Sequence, residues 1–136
     1  MLRYLLDTNI CIYVIKHRPA EVRERFNQHE RHLAISSVTL AELLYGAEKS
    51  AQPAHNLQVV EDFAARLEVL SFDPRAAAHF GQIRATLAQA GTPIGPCELM
   101  IAAHARSQGL TLVTHNLGEF QRVPGLLVES WVGPTR

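Results

Sequence analysis

The sequence predicts an α/β protein: a parallel sheet of five short strands covered by helices on both faces. Two observations carry the prediction. Five apolar runs of three or four residues alternate with longer segments that bear helix start and stop signals. Four of those runs also end on polar residues, and the carboxyl ends of strands are where an open parallel sheet keeps its working site. Alternation of this kind sets strands side by side and parallel, with helices packed above and below.

The elements follow in order. Tyr4-Leu5-Leu6 is read as the first strand, over 4–6, ending at Asp7. Residues 8–16 read as a helix. Pro19 opens a second helix, through about residue 27, because proline suits the first helical turn. Leu33-Ala34-Ile35 gives the second strand, and Ser36-Ser37 offers an N-cap for a helix over 38–49. Pro53 opens a helix to about residue 67, and the third strand is read at 69–72. Asp73-Pro74 caps a helix that runs to Ala90, where Gly91 stops it. Gly95-Pro96 leads a helix through Ser107, ended by Gly109. The fourth strand is read at 110–113, a helical turn at 116–121 and the fifth strand at 126–128, with a polar tail beyond. One domain over residues 1–136 is expected, since this length leaves no room for a second core.

Composition narrows the function. With 47% hydrophobic and 19% charged residues, a disordered chain, a coiled coil and a collagen-like fibre are excluded. Thirteen Lys and Arg balance thirteen Asp and Glu, so no chain-wide basic field grips nucleic acid. Local patches remain able to do so. Cys11 and Cys97 form no Cys-x-x-Cys pair, which excludes zinc-finger and thioredoxin-like readings. The chain opens without a signal-peptide pattern, and no apolar run approaches the ~20 residues of a membrane span. A cytoplasmic protein with no membrane contact is expected.

The acids divide by their surroundings. Glu21 has Arg25 four residues on, Asp62 has Arg66, and Glu119 has Arg122 three residues on, all read as helix-surface pairs. Asp73 reads as a cap. Asp7 follows Leu5-Leu6 at a strand end, and Glu42 and Glu98 have no cation at helical spacing. Each has a plain reading: a helix N-cap for Asp7, an exposed glutamate beside a buried stripe for Glu42, a first-turn acid favoured by the helix dipole for Glu98. Together they read as carboxylates gathered at one end of a sheet, and like charges so gathered need a cation. Oxygen-only ligands favour Mg²⁺ or Mn²⁺ over zinc. Metal-assisted phosphodiester hydrolysis follows as the reaction class.

Four ordered motifs then carry a resemblance over nearly the whole chain. They are Leu6-Asp7-Thr8-Asn9, Ser37-Val38-Thr39-Leu40-Ala41-Glu42-Leu43, Pro93-Ile94-Gly95-Pro96 with Ile101-Ala102-Ala103-His104-Ala105, and Val113-Thr114-His115-Asn116. This signature resembles PIN-domain ribonucleases, and more closely the VapC-type toxins of bacterial type II toxin–antitoxin modules. The resemblance implies a PIN-like three-layer α/β/α sandwich. It implies a Mg²⁺- or Mn²⁺-dependent endoribonuclease acting on structured RNA, such as tRNA anticodon loops. It also implies a homodimer neutralised by a VapB-type antitoxin, with operator DNA bound only through that antitoxin.

Carried onto this sequence, Asp7 and Glu42 match the first and second family acids. Glu98 stands where the family usually has Asp, and Cys97 where it usually has an aromatic. The fourth position is Asn116. These four are the catalytic expectation, with Asp7, Glu42 and Glu98 as metal ligands. Asn9, Ser37 and Glu119 are expected in support. His115 is a weaker reading for a general base, and His79 and His104 read as helix-face residues. Lys49, Arg84, Arg106 and Arg122 are the RNA-contact candidates. Leu40, Leu43, Leu44, Phe80, Ile83 and Leu87 serve a dimer seam or antitoxin groove if they exceed what the core needs. The extra methylene of Glu98 leaves one alternative, a PIN fold that binds antitoxin or RNA but cuts poorly. A phosphoacceptor receiver is excluded because Asp7 lacks a neighbouring acid and no Lys follows Val128. A haloacid-dehalogenase-like phosphatase is excluded because Asn9 stands where a second Asp is required.

Overall fold

The structure, a computed structural model, describes residues 1–132. Five parallel strands form its sheet: β1 (Tyr4–Leu6), β2 (Leu33–Ser36), β3 (Glu68–Leu70), β4 (Thr111–Val113) and β5 (Val128–Glu129). Their order is β3-β2-β1-β4-β5. The chain starts in the middle, builds outward to β3, then returns to add β4 and β5 beyond β1. The helices are α1 (Thr8–Ile15), α2 (Ala20–Gln28), α3 (Ser37–Glu48), α4 (Pro53–Ala64), α5 (Pro74–Ala90), α6 (Pro96–Gln108) and α7 (Leu117–Phe120).

Side-chain alternation along the strands sorts the helices into two layers. Tyr4 and Leu6 of β1 share a face with Leu33, Ile35 and Val113 and pack on Ile10, Val14, Phe26, Leu43 and Phe63 from α1 to α4. Leu5, Ala34 and Leu112 turn to the other face and meet Ile83, Leu87, Leu99 and Phe120 from α5 to α7. Burying an aliphatic or aromatic side chain of this size stabilises by about 1.5–3 kcal/mol. The strands are therefore apolar on both faces, and the architecture is the expected α/β/α sandwich.

The local signals act as read. Asp7, Ser36 and Asp73 cap α1, α3 and α5, accepting from the backbone N–H of Ile10, Val38 and Ala76 at 2.9, 3.0 and 3.0 Å. Gly91 and Gly109 end α5 and α6 at φ of +72° and +69°, a left-handed backbone that glycine adopts without strain.

Several boundaries move. α4 ends at Ala64 rather than near 67, and β3 lies at 68–70 rather than 69–72, paired through Glu68 with Ala34. β3 is an edge strand whose Glu68 and Val69 are exposed, so apolar content does not mark its limits. β5 sits at 128–129 rather than 126–128, where Val128 and Glu129 pair with Leu112 and Val113. The expected polar tail is partly core: Trp131 is fully buried, while residues 133–136 lie outside the described residues.

Surface pairing also differs. Arg66 lies past the end of α4, so helical spacing to Asp62 no longer applies; it meets Glu30 at 2.8 Å and Asn27 at 3.0 Å. Arg25 makes a further contact outside its own helix, 3.7 Å from Glu129. Arg122, past the end of α7, donates to the Pro93 carbonyl at 3.3 Å. His104 is not on an open helix face but fully buried between α6 and the end of β2. Its Nδ1 lies 2.8 Å from Ser36 Oγ and its ring meets Phe72 edge-on. Burial lowers its pKa, so the imidazole is neutral at neutral pH. No helix among the described residues is long and apolar enough to cross a membrane.

Candidate active site

The carboxyl ends of β1 and β4 lie side by side where the strand order reverses, the crevice an open parallel sheet offers to a ligand. Three elements bring an acid there: β1 delivers Asp7 at its end, α3 delivers Glu42, and the first turn of α6 delivers Glu98. All three line one open cavity of about 100 Å³, together with Thr8, Asn9 and Cys97, over Ile101 and Phe120.

Asp7 is only 5% exposed. Its two oxygens divide two tasks. Oδ1 caps α1, and Oδ2 accepts from the Thr114 hydroxyl at 2.5 Å. Asp7 therefore caps α1 while it lines the cavity. Burial raises its pKa above the ordinary carboxylate value; the Thr114 and Ile10 hydrogen bonds oppose this, and the Glu98 charge adds to it.

Glu42 accepts from the Thr8 hydroxyl at 2.5 Å through Oε1. Thr8 has one proton to give, so the buried Thr39, 3.3 Å away, donates to Thr8 in turn. Glu98 folds back over the start of its own helix. A Cβ on Gly95 would collide with Glu98 Oε1 and stand 3.2 Å from Cδ, so glycine makes the room this carboxylate occupies. That fold-back keeps the longer glutamate arm inside the cavity. The Cys97 thiol is raised above its ordinary pKa by burial, then by its hydrogen bond to Glu42 and the charges of Glu42 and Glu98. It is a protonated thiol at neutral pH. Cys11 is fully buried and raised well above its ordinary value, first by that burial.

The remaining expected residues stand outside the cavity lining. Asn116 donates its backbone N–H to Thr114 Oγ1 at 3.0 Å, one hydrogen bond from Asp7, and its side chain to Glu119 at 3.3 Å. Ser37 accepts from the Phe72 N–H at 3.1 Å and ties the segment after β3 to α3, away from the acids. His115 rests edge-on against Tyr13. Sequence reasoning missed Thr8 and Thr114 as donors. The signal was present: one threonine follows the strand-end acid, and the other ends the neighbouring strand.

Three carboxylates thus share a cavity whose lining holds no cationic side chain. Among the described residues, no three His, Cys, Asp or Glu side chains are drawn into a ready-made metal cluster. The donor set is hard oxygen with repulsion between Asp7 and Glu98, which fits a magnesium-like ion that keeps its waters.

Comparison with known proteins agrees with this fold. The PIN domain family matches residues 4–126. The tRNA(fMet)-specific endonuclease VapC of Salmonella typhimurium is 58% identical over 131 residues, covering 96% of this chain and 99% of that protein. Ribonuclease VapC2 of Haemophilus influenzae is 56% identical, covering 97% and 100%. Among solved structures, DNA-bound VapBC from Salmonella typhimurium superposes with a TM-score of 0.93 at 58% identity, covering 96% of this chain and 99% of that one. VapBC2 from Rickettsia felis, bound to a promoter DNA fragment, gives 0.90 at 39% identity, covering 96% and 99%. The chain belongs to the PIN-domain family, in its branch of VapC ribonucleases.

Proposed function

We propose that this chain is a metal-dependent endoribonuclease toxin that cuts structured RNA, a tRNA in its anticodon loop, and is neutralised by a VapB-type antitoxin. The observation that carries the reading is the meeting of Asp7, Glu42 and Glu98, from three separate elements, around one cavity without a cation. The name of the Salmonella relative makes tRNA(fMet) the first substrate to try. The VapBC complexes among the relatives support an antitoxin partner through which operator DNA is contacted. The toxin itself acts as a homodimer, each chain one PIN domain over residues 1–136, in the cytoplasm. The binding-only alternative is not favoured, because relatives named as ribonucleases match almost end to end and Glu98 reaches the cavity.

Asp7 and Glu98 would hold Mg²⁺ or Mn²⁺, with Glu42 beside them. Mg²⁺ commonly binds through one or two carboxylates and keeps its waters, so a tight three-ligand cluster is not required beforehand. Such an ion supplies an activated water and neutralises phosphate charge. The chain's own groups do the positioning. Thr114 and the Ile10 N–H fix the plane of Asp7, and Thr8 fixes Glu42. Asn9 and Asn116 offer amides that orient phosphate or water without adding negative charge. Glu119 acts through Asn116. Ser37 supports the site only through the loop it ties.

The test is cleavage of purified tRNA by antitoxin-free protein with Mg²⁺, Mn²⁺ or EDTA. Cutting with either ion and none in EDTA is expected, and Glu98→Asp is expected to remain active. No cutting of any RNA with either ion overturns the reading. A second variant probes the fold-back at Gly95. Gly95→Ala displaces only the flexible end of Glu98, so stability stays within about 0.5 kcal/mol of the parent. Cleavage falls by up to ~10²-fold, because a misplacement of about an ångström can cost on that order. Unchanged cleavage by Gly95→Ala would remove Glu98 from the machinery.

A further inference from the structure

We infer that the apolar slot between α5 and α6 holds one unstacked nucleobase of the RNA beside the scissile phosphate, while Arg84 and Arg122 take flanking phosphates. The inference rests on the nuclease reading above and specifies its substrate contact.

The slot encloses about 230 Å³, against about 100 Å³ for the acidic cavity. The smaller cavity suits an ion, waters and a phosphate oxygen; a base needs other room. The two hollows share one structural element. In the first turn of α6, Pro96 and Leu99 face the slot, and Cys97 and Glu98 face the acids. A nucleotide whose phosphate meets Glu98 therefore has its base within reach of the slot. The walls are Phe80, Leu87, Pro93 and Ile94, an aromatic and aliphatic surface with no hydrogen-bonding side chain except Arg84. Sequence-selective RNA recognition favours single-stranded loops, whose splayed bases stack on such surfaces.

Charge agrees with this placement. The Arg84 guanidinium lies 5.9 Å from the Phe80 ring centroid, and Arg122 holds the Pro93 carbonyl at the rim. Neither takes part in the ion pairs seen among the described residues, such as Arg25 with Glu129 and Arg66 with Glu30. Arg106, also an RNA-contact candidate in the sequence, is engaged inside the protein. It donates to His79 Nδ1 at 2.9 Å, to the Pro124 carbonyl at 2.8 Å and to Gln82. Lys49 lies over the Tyr45 ring on α3, away from the slot. Arg84 lines this hollow and Arg122 holds its rim through Pro93.

The experiment uses the full, antitoxin-free chain with Mn²⁺ and an anticodon stem–loop RNA whose cut is mapped. Single abasic sites are placed at each nucleotide flanking the cut. One abasic position is expected to lower kcat/KM about 10-fold, the order a base–aromatic stack carries, and Phe80→Ala is expected to abolish that penalty. Phe80→Leu, which keeps much of the volume and loses the ring, retains part of it. Arg84→Ala and Arg122→Ala raise KM and flatten the salt dependence with kcat little changed. A mapped cut with no abasic penalty, or with the same penalty in Phe80→Ala, overturns the slot and leaves the nuclease reading standing. No cut by the parent on any RNA overturns the nuclease reading itself. A fall in sedimentation mass on Phe80→Ala makes the slot a seam between two copies and overturns the base site.

Discussion

Asp7→Asn is expected to lower RNA cleavage by ~10²–10³-fold, the scale of losing one preorganised electrostatic partner, while leaving the fold at least as stable at neutral pH. The amide keeps the shape and an acceptor for the Ile10 N–H, and the Thr114 hydroxyl can rotate to accept from it. What is lost is the negative charge that, in the function proposed above, attracts a cation. That charge is costly to the fold, because Asp7 is buried and faces Glu98. The sign follows from the raised pKa. Between the unfolded value near 3.9 and the higher folded value, the native state binds more protons than the unfolded chain. Parent stability therefore falls as pH rises through that window and then levels. Asp7→Asn has no such loss, so its advantage opens as pH rises and closes on acidification. Initial cleavage rates, with urea melts in EDTA at pH 4 and pH 7.5, measure both halves. Parental cleavage by the variant would remove Asp7 from the site, and a variant clearly weaker at pH 7.5 would contradict the burial argument.

Trp131→Ala is expected to cost about 3–5 kcal/mol, the usual scale for deleting a buried aromatic, and to lower Tm by roughly 10 °C or more. The indole is 1% exposed. It meets Tyr4 edge-on at 5.7 Å and stacks on His29 at 5.8 Å between ring centroids. Its Nε1–H donates to Glu129 at 2.8 Å, and Arg25 approaches the same carboxylate. One side chain thus closes the end of the chain over the start of β1 and the end of α2. Trp131→Phe keeps most of the contact and leaves Glu129 open to water, so it should cost much less. A thermal melt of the alanine variant within about 2 °C of the parent would show that Trp131 is not part of the core.

The features legible in the sequence are those set by neighbours in the chain. Asp7, Ser36 and Asp73 cap because the N–H groups they satisfy lie two or three residues on. Gly91 and Gly109 end helices through their own backbone freedom. Asp7 was legible from its place after an apolar strand, Glu42 and Glu98 by exclusion, lacking cations at helical spacing, and the structure brings the three to one cavity. Features set by distant pairing were not legible. The limits of β3 and β5 come from register with β2 and β4 rather than from their own residues. Arg66 meets Glu30 across two elements, and Trp131 looks like tail until β1 and α2 are placed beneath it. His104 reads as a helix-face residue until Ser36, 68 positions away, is found against it. Asn116 and Glu119 fell just outside the cavity because they satisfy one another.

The strand order has a consequence for when the site exists. β1 is made first, yet its partner β4 comes near the end: the Thr114 hydroxyl that holds Asp7 lies 107 positions later. Contacts so distant in sequence form late and slowly. A chain emerging from a ribosome can pair β1, β2 and β3 while Glu98 and Thr114 are still unmade. At that stage Asp7 and Glu42 are present without the third acid and without the donor that sets the plane of Asp7. With the site proposed above, a chain at that stage is expected not to cut. The full constellation needs β4 paired beside β1, which comes only after more than a hundred residues have been made. Anything that restrains the enzyme has the whole time of synthesis in which to arrive first.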